Sequence, residues 1–314
     1  MVIESNAENL DQDALKLLES NQESQRMLHS LSKYGFQLSM IRECLELVNH
    51  EEILGKVWNY GLENCATIRQ QRFHRLVQHV LTWFFSRCSR IIPIKTNHER
   101  AYFVDFVVPI FQFFHDQIRH LDFQWCVVYI QSRNTGLMDM QTWAKERVCY
   151  ADGIGYNGQD EMILIESSSG GLNEDLDHTL GDSPKLLENL TAILNTHRGK
   201  YLYSDKATFK KLKILGIQSV KTSITLVSVS ITDNGTFLYQ THRTTGIPTE
   251  MKQSFCLVSL FELLAFLLDA CQEQDQVIMQ LQKEHTGIIP VLKENTVKEL
   301  VLQELTRLPI LCWK

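Results

Sequence analysis

The chain has no Cys-x-x-Cys pair and no His/Cys spacing of the kind that holds zinc; its eight cysteines stand scattered at 44, 65, 88, 126, 149, 256, 271 and 312. Scatter of this kind reads as reduced thiols of an intracellular protein, used for core packing. A phosphate-binding Walker loop, a GxGxxG after a strand and a GxSxG elbow are all missing, so nucleotide-cofactor and serine-hydrolase readings find no support. The eleven histidines sit mostly alone on helical stretches such as "RFHRLVQHV", with no HExxH among them. They carry no assigned chemistry. The first residues, "MVIESNAENLDQD", lack the basic and apolar regions of a signal peptide, which implies no secretion. The longest apolar segment, "FCLVSLFELLAFLL" (255–268), contains Glu262 and falls short of the roughly 20 residues of a membrane span. A buried helix of a soluble, non-membrane protein is expected there.

What is present suits a globular chain. With 314 residues, 44% of them hydrophobic and 22% charged, there is enough apolar surface for one large or two ordinary domains. The 31 basic and 37 acidic residues leave a net charge of -6, which gives no general attraction for a phosphate backbone. Contact with nucleic acid therefore requires a local basic patch. The run "DKATFKKLK" gathers Lys206, Lys210, Lys211 and Lys213 and is either such a patch or a solvated face.

Residues 1–95 place apolar side chains three and four apart with almost no glycine or proline, the pattern of a helical bundle or cap. Pro93 breaks it, and Asn97 is placed to cap a new helix, "ERAYFVDFVVPIFQFFHDQI", kinked or interrupted near Pro109. The texture then turns to strands: "QWCVVYIQ", "ERVCYADGI" and "EMILIES" form a meander, the first two joined by a long connection at "SRNTGLMDM" and the last two through Asn157-Gly158. A helix is expected over 181–197 with Pro184 in its first turn and Asp182 or Ser183 near its N-cap. "LKILGIQSV" returns to strand, a hairpin with Asp-Asn-Gly at its tip follows, and a long helix runs from about 249 to 284, with a tail and short helix over 286–314. Strand, helix, strand after a meander makes an α/β fold: a mixed sheet with helices on its faces.

The order helix, three-strand meander, helix, strand, with Asp152 in "ADG" on the second strand and Glu166 in "ILIESSSG" on the third, resembles the core of the PD-(D/E)XK, or restriction-endonuclease-like, nuclease superfamily over about 96–285. Glu99 in "HERAYF" matches a further acid on the preceding helix, and with "FKKLK" the chain also resembles a group of fungal proteins of this pattern. The resemblance implies a Mg²⁺-dependent nuclease acting on the phosphodiesters of DNA or RNA. Asp152 and Glu166 would then be metal ligands, because hard carboxylate oxygens suit the ion and the ion in turn activates a water. The family's lysine, two residues after the glutamate, is Ser168 here, a hydroxyl with no charge to offer. Lys185, on the next helix, is the candidate replacement. The alternative is a catalytically degenerate member of the fold, binding protein or nucleic acid, with the N-terminal helices as a surface for a protein partner.

Each of these residues also has a structural reading. Asp152-Gly153 fits strand-end turn chemistry, Glu166 a strand terminus, Glu99 a first-turn acid favoured by the helix dipole, and Lys185 a solvated helix position. Register is the test. With a strict two-residue turn at Asn157-Gly158, Asp152 faces Ile163 and Glu166 points to the opposite side of the sheet. A shared site needs a longer loop or a bulge, which Gly153 or Gly155 could supply.

Overall fold

The computed structural model describes residues 12–47, 50–90, 99–118, 121–134, 148–168, 176–232 and 235–307. Four helices lead: α1 (Gln12–Arg26), α2 (Gly35–Glu46), α3 (His50–Asn59) and α4 (Ile68–Cys88). In α4 the three-four spacing puts Phe73, Leu76, Val77, Val80, Leu81, Phe84 and Phe85 on one buried stripe against α3 and the later helix Val108–Gln117. The Thr67 hydroxyl starts this helix by accepting the Gln70 N–H.

The next helix is interrupted as the proline suggested. After α5 (Glu99–Tyr102) the chain widens into a π turn over Phe103–Val107, where Val108 N–H reaches the Phe103 carbonyl, and continues as α6 (Val108–Gln117). Pro109 has no N–H for the carbonyl four residues back, and the wide turn just ahead of it absorbs that mismatch.

Six strands follow: β1 (Leu121–Tyr129), β2 (Tyr150–Asn157), β3 (Asp160–Ser168), β4 (Ile214–Val220), β5 (Ser223–Ile231) and β6 (Phe237–Gly246). They lie in one sheet in sequence order, and every neighbouring pair is antiparallel except β3 and β4. That parallel pair needs a crossover, which is α8 (Leu176–Lys200). The short helices α7 (Gln131–Asn134) and α9 (Lys206–Phe209) and the long α10 (Cys256–His285) and α11 (Val297–Arg307) complete the fold. The connection expected at "SRNTGLMDM" falls largely outside the described residues; its start is α7, whose first N–H groups, Gln131 and Ser132, are accepted by the buried Glu161 carboxylate.

The crossover helix corrects the sequence-based start. It begins at Leu176 rather than at Asp182 or Ser183, so Pro184 lies inside the helix and Lys185 is not in its first turn. Packing on the sheet holds it: a Cβ on Gly216 of β4 would stand 2.7 Å from Leu190 and 2.8 Å from Val227, so the helix approaches the strand where a side chain is missing. One residue along, Leu215 of β4 and Ile163 of β3 turn to the opposite face, toward Cys271 and Gln274 of α10. The apolar run Met162 to Ile165 is thus covered on both sides, as a central strand requires.

The N-terminal helices share this core. Buried apolar residues from Leu31 to Leu300 form one connected cluster. β6 is an edge strand, and α1 shields it with side-chain amides: Asn21 donates to the Thr241 carbonyl at 2.8 Å, and Gln25 both donates to the Thr244 carbonyl and accepts its N–H. Beneath that edge, Arg243 and Glu262 form a fully buried ion pair at 2.9 Å, and Glu262 also accepts the Ser30 and Leu31 N–H groups. The acid that interrupts the apolar run 255–268 therefore fixes the helical region to the sheet.

Candidate functional site

The site begins with a counting problem on the β2–β3 hairpin. The turn is Gly158-Gln159, Asn157 pairing with Asp160, and Gly158 takes the left-handed φ of +63° that the turn demands. From there a regular ladder would pair Asp152 with Ile165 and send Glu166 to the other face. Between Gly155 and Tyr156 the register shifts by one, with Met162 as the extra residue, so that Gly153 pairs with Ile165. The next step of that register sets Asp152 against Glu166. A bulge next to Gly155 was one of the devices the sequence allowed, although the turn sits one residue later than Asn157-Gly158.

Each carboxylate is held. Asp152 Oδ2 accepts the Ser167 N–H at 2.8 Å and closes the end of the ladder. Glu166, with only 4% of its side chain exposed, takes the Lys185 ammonium on Oε2 at 2.8 Å and the Asn189 amide on Oε1 at 3.4 Å. Lys185 and Asn189 are four residues apart on α8, which puts both on the helix face turned to β3. Burial of an anion is costly unless a charge meets it, and here the half-exposed lysine supplies that charge. On β4, Gln218 lies in register with Glu166, so a polar row runs from Asp152 through Glu166 to Gln218 near the carboxyl ends of the parallel strands.

Two further features surround this row. Ser168, two residues beyond Glu166 on the same strand face, is buried, and its hydroxyl has no hydrogen-bond partner among the described residues. On the other side of Asp152, β1 carries a wide irregularity: Trp125 pairs with Gly153 and Val128 with Ala151, leaving Cys126 and Val127 opposite Asp152. Both hold positive φ, 68° and 66°, a region that a β-branched residue avoids. Strain of this kind persists where the surrounding structure fixes it, and it clusters at functional sites.

Of the residues chosen from sequence, the structure thus brings together Glu166 and Lys185, aligns Asp152 with them, and puts Ser168 on their face. Glu99 is the exposed first residue of α5. Among the described residues no group of three or more His, Cys, Asp or Glu side chains is gathered to hold a metal, so Glu99, Asp152 and Glu166 are not one three-carboxylate cluster. The remaining donor set is two aligned carboxylates with an orphaned hydroxyl, which suits Mg²⁺, an ion that keeps several waters and takes one or two carboxylates.

Sequence reasoning missed Asn189 and the β1 irregularity. The i, i+4 spacing within "KLLEN" was legible and could have pointed to Asn189. Nothing in "QWCVVYIQ" announces left-handed residues. The lysines of "DKATFKKLK" are separated by the fold: Lys206 opens α9, capped by Asp205, and donates to the Glu294 carbonyl, while Lys213 precedes β4 on the α10 side. No protein-family model, curated protein or solved structure matches the chain. No helix among the described residues is long and apolar enough to cross a membrane.

Proposed function

We propose that the chain is a divergent Mg²⁺-dependent nuclease with a restriction-endonuclease-like core, acting on nucleic-acid phosphodiesters. The observation that carries this reading is the 2.8 Å contact between Lys185 and Glu166 at the strand position aligned with Asp152. It supplies, from the crossover helix, the cation whose usual strand position is occupied by Ser168. Asp152 and Glu166 are the residues to hold Mg²⁺, which polarises a phosphodiester and lowers the pKa of a bound water. Lys185, with 45% of its side chain exposed, is the cation at this position that a phosphate oxygen or an attacking hydroxide can reach from solvent. Asn189 keeps the Glu166 carboxylate oriented, and the unused Ser168 hydroxyl is placed to orient water.

One observation favours a second reading. Glu166 already has a lysine and an asparagine, so the same residues form a stable ion pair in a catalytically degenerate fold that binds protein or nucleic acid. Calorimetric titration of Mg²⁺ and Mn²⁺ into the wild type and an Asp152→Ala/Glu166→Ala variant separates the two, with cleavage of supercoiled DNA and single-stranded RNA followed on the same samples. The nuclease reading expects metal binding and cleavage that vanish together in the variant. Absence of metal binding in the folded wild type overturns it and leaves the binding module.

A further inference from the structure

The opposite face of the sheet holds a cavity of about 160 Å³ between the start of β4, the end of β6, α10 and the residues that follow α1. It is lined by Lys213, His242, Arg243 and Phe266, with Ser24 and Ser30. Three cations and two histidines line it, yet the acids nearby are mostly engaged. Arg243 is held by Glu262, its guanidinium also donating to the His242 carbonyl and to Ser24 Oγ, and it lies 4.4 Å over the Phe266 ring. Asp269 is shared by Lys33 and Arg69. Glu273 and His29, both exposed, also line the cavity. Lys213 is left: its ammonium has no hydrogen bond or ion pair among the described residues.

His242 completes the wall. Buried to 5% exposure and stacked on Phe266, it uses Nε2 for Ser228 Oγ at 2.8 Å, and Nδ1 has no partner among the described residues. When the Ser228 hydroxyl donates to Nε2, the ring hydrogen sits on Nδ1 as a spare donor. Counting the cavity and its direct partners, Lys33, Arg69, Lys213 and Arg243 outnumber Asp269, Glu262 and Glu273 by one. This excess of positive charge around a partly apolar cavity favours an anion there. At roughly 30 Å³ per water, the space equals about five waters, room enough for one small oxyanion.

We propose that this cavity is a binding site for a phosphate-sized oxyanion, held by the Lys213 ammonium and the His242 ring with Arg243 and Lys33 adding positive field. It is separate from the Asp152/Glu166 row, which lies on the α8 face. Burial and the neighbouring Lys213 and Arg243 charges keep His242 neutral, with its pKa lowered to about 4, so a bound anion has a spectroscopic consequence: it must raise that value.

The test is titration of the full chain with inorganic phosphate, read by calorimetry and by the His242 ring resonances, in wild type, Lys213→Met, Lys213→Arg and Asp152→Ala/Glu166→Ala. Binding with a dissociation constant on the order of 1 mM or tighter is expected. It should weaken at least about tenfold in Lys213→Met, recover in Lys213→Arg and persist in the carboxylate variant. Absence of binding, equal binding by folded Lys213→Met, or a His242 ring that ignores phosphate would each overturn the site.

Discussion

Lys185 Nζ lies 2.8 Å from Glu166 Oε2, joining the crossover helix to the strand it follows. The pair is asymmetric: the carboxylate is almost wholly buried and the ammonium nearly half exposed. The strand fixes the buried carboxylate, and the ammonium is the member of the pair that solvent reaches.

The pair should therefore be measurable as a coupling. In a cycle of Lys185→Met, Glu166→Gln and the double variant, urea unfolding is expected to give an interaction energy of about 1–3 kcal/mol, since both residues share one contact. A coupling near zero would show that Asn189 and the strand alone hold Glu166.

Ser168 offers an opposite signature. Its buried hydroxyl has no partner among the described residues, so Ser168→Ala should leave stability unchanged or raise it by up to about 1 kcal/mol. Under the nuclease reading the same variant slows cleavage. A clear loss of melting temperature in Ser168→Ala would mean that the hydroxyl is bonded in solution.

The buried Arg243 and Glu262 pair makes a sharper demand. Arg243→Met leaves Glu262 without its counter-charge and should cost about 3–5 kcal/mol, seen as a lower denaturation midpoint. Because Glu262 also accepts the Ser30 and Leu31 N–H groups, hydrogen exchange should rise at those amides together with Arg243→Met. Unchanged exchange there would separate the helical region from this pair.

His242 sets an acid limit. Its folded pKa, lowered first by burial and then by Lys213 and Arg243 to about 4, lies below the 6.5 of the unfolded chain. The unfolded state thus takes the proton first: this contribution is whole above about pH 6.5, declines as pH falls toward 4, and is flat below. The total is on the order of 3 kcal/mol. His74 and His197 are also lowered by burial and slope the same way, so the measurement is the difference between wild type and His242→Gln across that window. No difference in slope would place the ring in solvent.

Gly216 tests the seat of α8. Gly216→Ala puts a methyl 2.7 Å from Leu190 and 2.8 Å from Val227, and a cost of about 1–3 kcal/mol is expected in thermal unfolding. A neutral substitution would mean that the helix stands further from β4.

The sequence by itself determined the types and order of the longer helices and of the strands, though not the short helices at Gln131–Asn134 and Lys206–Phe209. Spacing of three and four built the leading helices, alternation and Asp/Asn-Gly turns built the strands, and Pro109 marked the break that became a π turn. Those signals are local: they concern residues within one turn or one hairpin of each other. The candidate carboxylates were legible for the same reason, as acids at the edges of apolar runs.

Only the tertiary structure decided what those acids meet. Whether Asp152 and Glu166 share a face depended on one extra residue, Met162, in a ladder whose parity no local propensity fixes. Pro184 marked a helix start in the sequence, but the packing of Leu186 and Leu190 on β4 carries a helix through it, and that seat brings Lys185 to Glu166. Lys213 and His242, 29 positions apart by number, reach one cavity because β4 and β6 flank β5 and both meet α10. Burial makes such distant charges answer to each other, and burial is a property of the packed chain.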